Sequence, residues 1–263
     1  MLLLSTSSLA GYDINHIFEF VKTAAYDGLD LHISKDLFDT YDSEYLSKLI
    51  TQHQLPIPTI TAPLNSTPEQ IELIIKLAEA LNSKIIVLQN PRALTSKTSD
   101  WLLKNITNLQ TKHNIAIAIE NSSTQYFLGI FPKNTTTSED DIKIFKHFSL
   151  NTTRLGERGQ DLFNIFDQVK QYLAHVRLAN YDKKRKYTPL TSGNLPLEGF
   201  LAKLKQHNYQ GPISIQIAPP FLKAGDNKTV IKNLIAAKKF HEQYFMKLTP
   251  TPPDITPNNP SDY

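Results

Sequence analysis

Eleven polar side chains in this sequence sit at spacings that could do chemistry together. They are Asp30, His32, Thr61, Asn90, Glu120, Asn151, Arg154, His175, Arg177, Asn180 and Gln216. Most occur in short runs where aliphatic and polar residues alternate. Ile115, Ile117 and Ile119 oppose Ala116, Ala118 and Glu120; Val176 and Leu178 oppose His175 and Arg177; Ile213, Ile215 and Ile217 oppose Ser214 and Gln216. Leu29, Leu31 and Ile33 oppose Asp30 and His32 in the same way, and Phe148 and Leu150 oppose Ser149 and Asn151. A period of two places one set on each face of a strand. A carboxylate facing a guanidinium can form a buried ion pair, or a general base beside an oxyanion-stabilising cation. Glu120, Arg177 and His32 are the candidates for catalysis; the other eight are candidates for ligand binding. Glu120 also reads as a buried carboxylate satisfied by Arg177, and His175 as a hydrogen-bonded core histidine.

The elements that must position these side chains alternate from end to end. Strands are read at Leu2–Ser5, Leu29–Ile33, Pro58–Ala62, Lys84–Asn90, Ile115–Asn121, Phe148–Asn151, Ala174–Ala179 and Pro212–Ala218. Between them lie amphipathic helices. Thr67, Pro68 and Gln70 form a helix start with a capping box, followed by the stripe Ile71, Ile74, Ile75, Ala78 and Leu81. Asp13, Ser43 and Asp226 read as further caps, and Gln160–Gln171 as another helix. Each parallel crossover needs a helix, so the pattern implies a parallel sheet. Eight strands, and no glycine-rich dinucleotide turn after the first, favour a single (β/α)8 TIM barrel over an open sheet. Aliphatic residues then face the helices, and the polar set lines the interior up to the C-terminal rim. The barrel is expected over 1–248. The segment 249–263 holds five prolines and no helical period, and reads as a disordered or loosely packed tail.

The segments Ala25-Tyr-Asp-Gly-Leu-Asp-Leu-His32, Ile60-Thr-Ala-Pro63, Ile86-Val-Leu-Gln-Asn-Pro91 and Ile117-Ala-Ile-Glu-Asn121 resemble the xylose isomerase-like barrels. So do Leu150-Asn-Thr-Thr-Arg154, His175-Val-Arg-Leu-Ala-Asn180, Ser192-Gly-Asn-Leu-Pro-Leu-Glu-Gly-Phe200 and Gly211-Pro-Ile-Ser-Ile-Gln216. That group includes sugar and sugar-phosphate isomerases and epimerases and endonuclease IV. The resemblance implies a divalent metal held by Glu, Asp, His and Glu on strands five to eight. Here those positions read Glu120, Asn151, Arg177 and Gln216. Thr61, Asn90 and Arg154 stand where the resemblance implies histidines, and Asn180 where it implies an aspartate.

One carboxylate, two amides and a guanidinium that stays protonated make a poor metal site. The expectation is therefore no metal and no other cofactor, with Arg177 paired to Glu120 in the space a metal would fill. The function expected is a pseudoenzyme-like barrel binding a small polyhydroxylated or phosphorylated ligand, either non-catalytic or using Glu120 as a metal-independent base. If active, it is an isomerase or epimerase acting on a sugar or sugar phosphate. The alternatives are a metal-dependent isomerase drawing on Asp30 and His32, an apurinic endonuclease-like enzyme, and a protein-interaction scaffold. Arg154, Arg158 and the run Asp182-Lys-Lys-Arg-Lys186 read either as solvated charge or as an anion site. The loop 121–136, with Tyr126, Phe127 and Phe131, reads as a lid or a partner contact.

Composition narrows the classes. The 263 residues are 40% hydrophobic and 20% charged, as in a soluble globular chain. There is no cysteine, which excludes disulfides, thiolate metal sites and thiol catalysis. A net charge of +3 and a pI near 8.8 are too weakly basic to imply nucleic acid as a partner. The start, Met1-Leu-Leu-Leu-Ser5, lacks a basic segment before its short apolar run, and no run reaches the ~18 apolar residues of a membrane span. A cytoplasmic location is expected, with the sequons at Asn65 and Asn134 unused.

Overall fold

The computed structural model describes residues 1–34, 38–89, 96–121, 125–127, 131–133 and 139–246. Asn90 and the segment 249–263 lie outside these residues. So does most of loop 121–136, and the side chains of Tyr126, Phe127 and Phe131 are not described.

Eight parallel strands close into a barrel. They are β1 (Leu2–Ser5), β2 (Gly28–His32), β3 (Thr59–Thr61), β4 (Ile85–Gln89), β5 (Ala116–Glu120), β6 (Phe148–Asn151), β7 (Leu173–Leu178) and β8 (Ile213–Ile215). Each pairs with its neighbours in chain order, and β8 closes on β1 through Leu3↔Ser214. The main outer helices are α1 (Ile14–Thr23), α2 (Ser43–His53), α3 (Pro68–Ala80), α4 (Ser96–His113), α5 (Glu139–Phe145), α6 (Thr152–Glu157), α7 (Leu162–Val169), α8 (Leu197–Gln206), α9 (Pro219–Leu222) and α10 (Asn227–His241). Two small antiparallel ribbons decorate the loops, Gln125–Phe127 with Phe131–Lys133 and Asn180–Tyr181 with Lys186–Thr188.

The period-two pattern sorts the side chains as the sequence implies. Leu29, Leu31, Ile117, Ile119, Val176, Leu178, Ile213 and Ile215 are buried in the layer between sheet and helices. The opposite set, including Asp30, Ser149, His175, Arg177 and Ser214, is equally buried but polar. A lumen of buried polar groups stands only if each finds a partner. That requirement governs the site described below.

Local chemistry fixes the helix starts. Asp13 accepts the His16 N–H, Asp226 accepts that of Thr229, and Thr67 and Gln70 cap α3 reciprocally. At α2 the cap is Asp42, whose carboxylate accepts the Tyr45 N–H; Ser43, the expected cap, is the first helical residue. The strand β2 enters the barrel through Gly28. A Cβ there would stand 2.5 Å from the Pro56 carbonyl oxygen, so only glycine permits this close approach.

Candidate functional site

Arg177 crosses the lumen from β7. Its Nη1 donates to Glu120 Oε1 at 2.6 Å, and its Nη2 donates to Asp30 Oδ2 at 2.8 Å and to Thr61 Oγ1 at 2.5 Å. The Thr61 hydroxyl in turn donates a hydrogen bond to Asp30 Oδ1 at 2.7 Å. One guanidinium thus ties β7 to β2, β3 and β5. Arg177 is 2% exposed, Glu120 2% and Asp30 0%, so these charges have little water to fall back on.

Arg154 covers the other side of Glu120. Its Nη1 lies 2.5 Å from Glu120 Oε2 and also donates to the Asn121 carbonyl at 3.1 Å. The hydroxyl of Tyr187, a residue held at φ +55°, accepts a further hydrogen bond from this guanidinium. Asn151 donates from Nδ2 to Glu120 Oε1 at 3.2 Å, while its Oδ1 caps α6 by accepting the Arg154 N–H. Asn121 then clamps the ends of β5 and β6, giving Nδ2 to the Asn151 carbonyl and receiving the Asn151 N–H.

Two carboxylates and two guanidiniums balance to zero. Burial alone would raise the Glu120 carboxyl, but Arg154, Arg177 and the Asn151 amide outweigh it and hold the group below the usual carboxylate range. Asp30 follows the same logic, with Arg177, His175 and Thr61 opposing desolvation. Burial works against the Arg177 charge too, and Glu120 and Asp30 more than offset it. A carboxylate held ionised by two cations is a weak proton acceptor.

The remaining candidates divide into three groups. His175 lies in the lumen below Arg177, with Nδ1 2.8 Å from Ser149 Oγ and Nε2 2.7 Å from Ser214 Oγ. Burial, then the nearby Arg177 guanidinium, lowers it to about 4 in spite of Asp30, so it is a neutral, fully bonded imidazole at neutral pH. Asn180 has no polar group left for a ligand. Its Oδ1 accepts the N–H groups of Tyr181 and Leu195, and Nδ2 donates to the Leu190 carbonyl at 2.9 Å. The third group keeps free valence at the rim. His32 Nδ1, Gln216 Oε1, Arg154 Nε and Arg177 Nε are buried atoms with no partner among the described residues. Gln216 does donate from Nε2 to Ser7 Oγ at 2.9 Å, and burial followed by Arg177 lowers His32, leaving it neutral.

Two cations of the charge run after β7 form ion pairs, one within the run and one with α6. Arg185 meets Asp182 at 2.5 Å and stacks over Phe221, and Lys186 meets Glu157 at 2.7 Å. Sequence reasoning missed Thr6, Ser7, Asn121 and Tyr187. Asn121 alone carried a signal, as the polar residue directly after Glu120 at a strand end.

The donor set fits a divalent cation poorly. Among the described residues no three His, Asp or Glu side chains come together as a cation cage requires. The two acids that approach each other are bridged by Arg177. A metal drawn to them would meet a fixed guanidinium within a few ångströms.

No family model and no curated protein sequence matches the chain. Solved structures do. The 3-keto-D-glucoside 4-epimerase of E. coli, in its apo form, is 15% identical with a TM-score of 0.68, over 90% of this chain and 98% of that one. The D-psicose 3-epimerase of Clostridium cellulolyticum H10, solved with D-tagatose, is 13% identical with a TM-score of 0.69, over 93% and 99%. The IolI protein, solved with a zinc atom, is 13% identical with a TM-score of 0.70, over 94% and 99%. At such identities the likeness shows the fold alone: this chain is a (β/α)8 barrel similar in fold to these two epimerases and to IolI.

Proposed function

We propose that the barrel mouth binds a small polyhydroxylated molecule without a metal ion and without turning it over. The observation that carries this reading is Arg177, bonded at once to Glu120 and Asp30. A cation built into the protein takes up the carboxylates a metal would need. It also holds Glu120 ionised and doubly paired, which removes the driving force for proton abstraction.

The free valences favour hydroxyls over phosphate. Arg154 and Arg177 each already carry a carboxylate partner, so a phosphate would have to displace one. A hydroxyl both donates and accepts. It can satisfy Gln216 Oε1 and Arg154 Nε without breaking an ion pair. The likeness in fold to a 3-keto-D-glucoside epimerase and a D-psicose epimerase is consistent with a sugar-sized guest. A phosphorylated sugar is the second choice, and a metal-dependent isomerase or epimerase the reading opposed.

The test combines elemental analysis with calorimetric titration of D-tagatose, D-glucose and D-fructose 6-phosphate, in EDTA and in Mn²⁺. Saturable binding of a free sugar that EDTA leaves unchanged supports the reading. A stoichiometric divalent metal in the purified protein, or sugar turnover stimulated by Mn²⁺, would overturn it.

A further inference from the structure

A cavity of about 470 Å³ opens beside the mouth, between the segment that follows β1, the end of β2 and the start of α1. That volume suits a small organic molecule. None of the four groups of the Arg177 cluster lines it. One wall is apolar, from Ala10, Ile14, Ile17 and the Tyr12 ring. The opposite wall is polar, with Ser7, His32 and Thr40. Two carboxylates stand at its edge, Asp13 and Asp39, and no lysine or arginine is among its described lining. His32 contributes a buried Nδ1 with no partner among the described residues. Its backbone N–H donates to Thr6 Oγ1 at 2.9 Å, which ties the end of β2 to the turn after β1.

We infer that this cavity is a separate binding site for a small amine carrying an apolar body. The apolar wall accepts a ring or branched chain. An ammonium offers donors to the His32 ring and the Ser7 hydroxyl while sharing the field of Asp13 and Asp39. Asp13 is partly committed, since its Oδ1 caps α1 by accepting the His16 N–H at 2.9 Å, so Asp39 is the principal anion. An anionic guest of the same shape meets two like charges and, among the described lining residues, no cation. The site does not depend on the reading of the Arg177 cluster.

Three isosteric probes test the charge preference: benzylamine, benzyl alcohol and benzoate. Each is titrated into the full-length protein while the His32 ring resonances are followed by NMR. The expected order is benzylamine, then benzyl alcohol, then benzoate, with about tenfold or more between first and last. Asp39→Asn should weaken benzylamine several-fold with little effect on benzyl alcohol. Ala10→Trp, at an exposed position on the rim of the cavity, should abolish binding of all three while leaving the melting temperature near wild type. Benzoate binding as tightly as benzylamine would overturn the proposal. So would the lack of a saturable His32 response to any probe, or benzylamine binding that survives Ala10→Trp. Failure of sugar binding with benzylamine binding intact counts against the mouth reading alone.

Discussion

Arg177 makes three side-chain bonds to residues far apart in sequence, and this decides how the site responds to mutation. Arg177→Met would leave Asp30 and Glu120 buried with one cation, Arg154, beside Glu120 and none bonded to Asp30. Breaking a buried pair from one side costs about 3–5 kcal/mol. Urea denaturation should show a loss of that order, and a loss below about 1 kcal/mol would mean that water reaches the lumen. Much of this residue-level picture was legible. Alternation alone put Asp30, Thr61, Glu120 and Arg177 on one face, and the resemblance, which places the last two at metal-ligand positions, suggested their pairing. Asp30 as a second partner was not legible, because it requires knowing which strands face each other across a closed barrel. Asn180 shows another limit. Its place near a strand end suggested a ligand contact, yet the amide holds loop 190–195, and only the loop's path reveals that. Thr6 and Ser7 were hidden for a related reason. They lie in the 3₁₀ turn Thr6–Leu9, where no period-two pattern marks the inward side.

Elements were read well where a local interaction fixes them. The caps Asp13, Thr67 and Asp226 and the strand Phe148–Asn151 coincide with the sequence reading because side chain and backbone settle them within a few residues. At Asp42-Ser43 two good caps stand side by side, and the carboxylate takes the role. The last strand is shorter than Pro212–Ala218. Pro212 has no N–H to give a ladder, and Pro219 starts α9 directly after Ala218. The helix Thr152–Glu157 escaped notice because paired threonines and Gly156 are weak helix formers; it stands on its Asn151 cap. Two element-scale predictions follow from these contacts. Thr67→Ala removes the cap of α3 and should cost about 1 kcal/mol in chemical denaturation, without altering the mouth. Gly193→Ala should act quite differently. Its Cβ would collide with the Asn180 amide, so the loop between Asn180 and Leu195 must shift. Amide exchange in residues 181–195 should rise sharply while the barrel strands stay protected, and unchanged exchange there would refute the role assigned to Asn180.

At the scale of the whole molecule, the closed barrel followed from counting strands and helices, because eight strands joined by seven crossovers leave few other arrangements. How acid would undo it could not be counted, since that depends on which titratable groups the closed structure buries. His175 sits between two serines and is lowered to about 4, burial being the main cause. His241 packs against Phe245 with neither ring nitrogen partnered among the described residues, and burial, then the positive N-terminus, lowers it to about 4 as well. An unfolded histidine titrates near ~6.5. Between about pH 6.5 and 4 the unfolded chain therefore binds more protons than the folded one, and stability falls as pH falls. Each histidine accounts for about 3 kcal/mol across that window. Asp30 and Glu120 act in a lower one. Their folded values are depressed, so their contribution is present above the unfolded carboxylate range and is lost as pH drops through the folded values. Urea midpoints at pH 7, 5.5 and 4.5 should decline steadily, while Asp30 and Glu120 are still ionised in the folded protein. His175→Gln and His241→Phe should each flatten that decline, the lowered His32, His53 and His147 accounting for the remainder, whatever they do to stability at pH 7. A slope that neither substitution changes would mean that both imidazoles are hydrated in the folded protein, and the lumen would then be wetter than its packing implies.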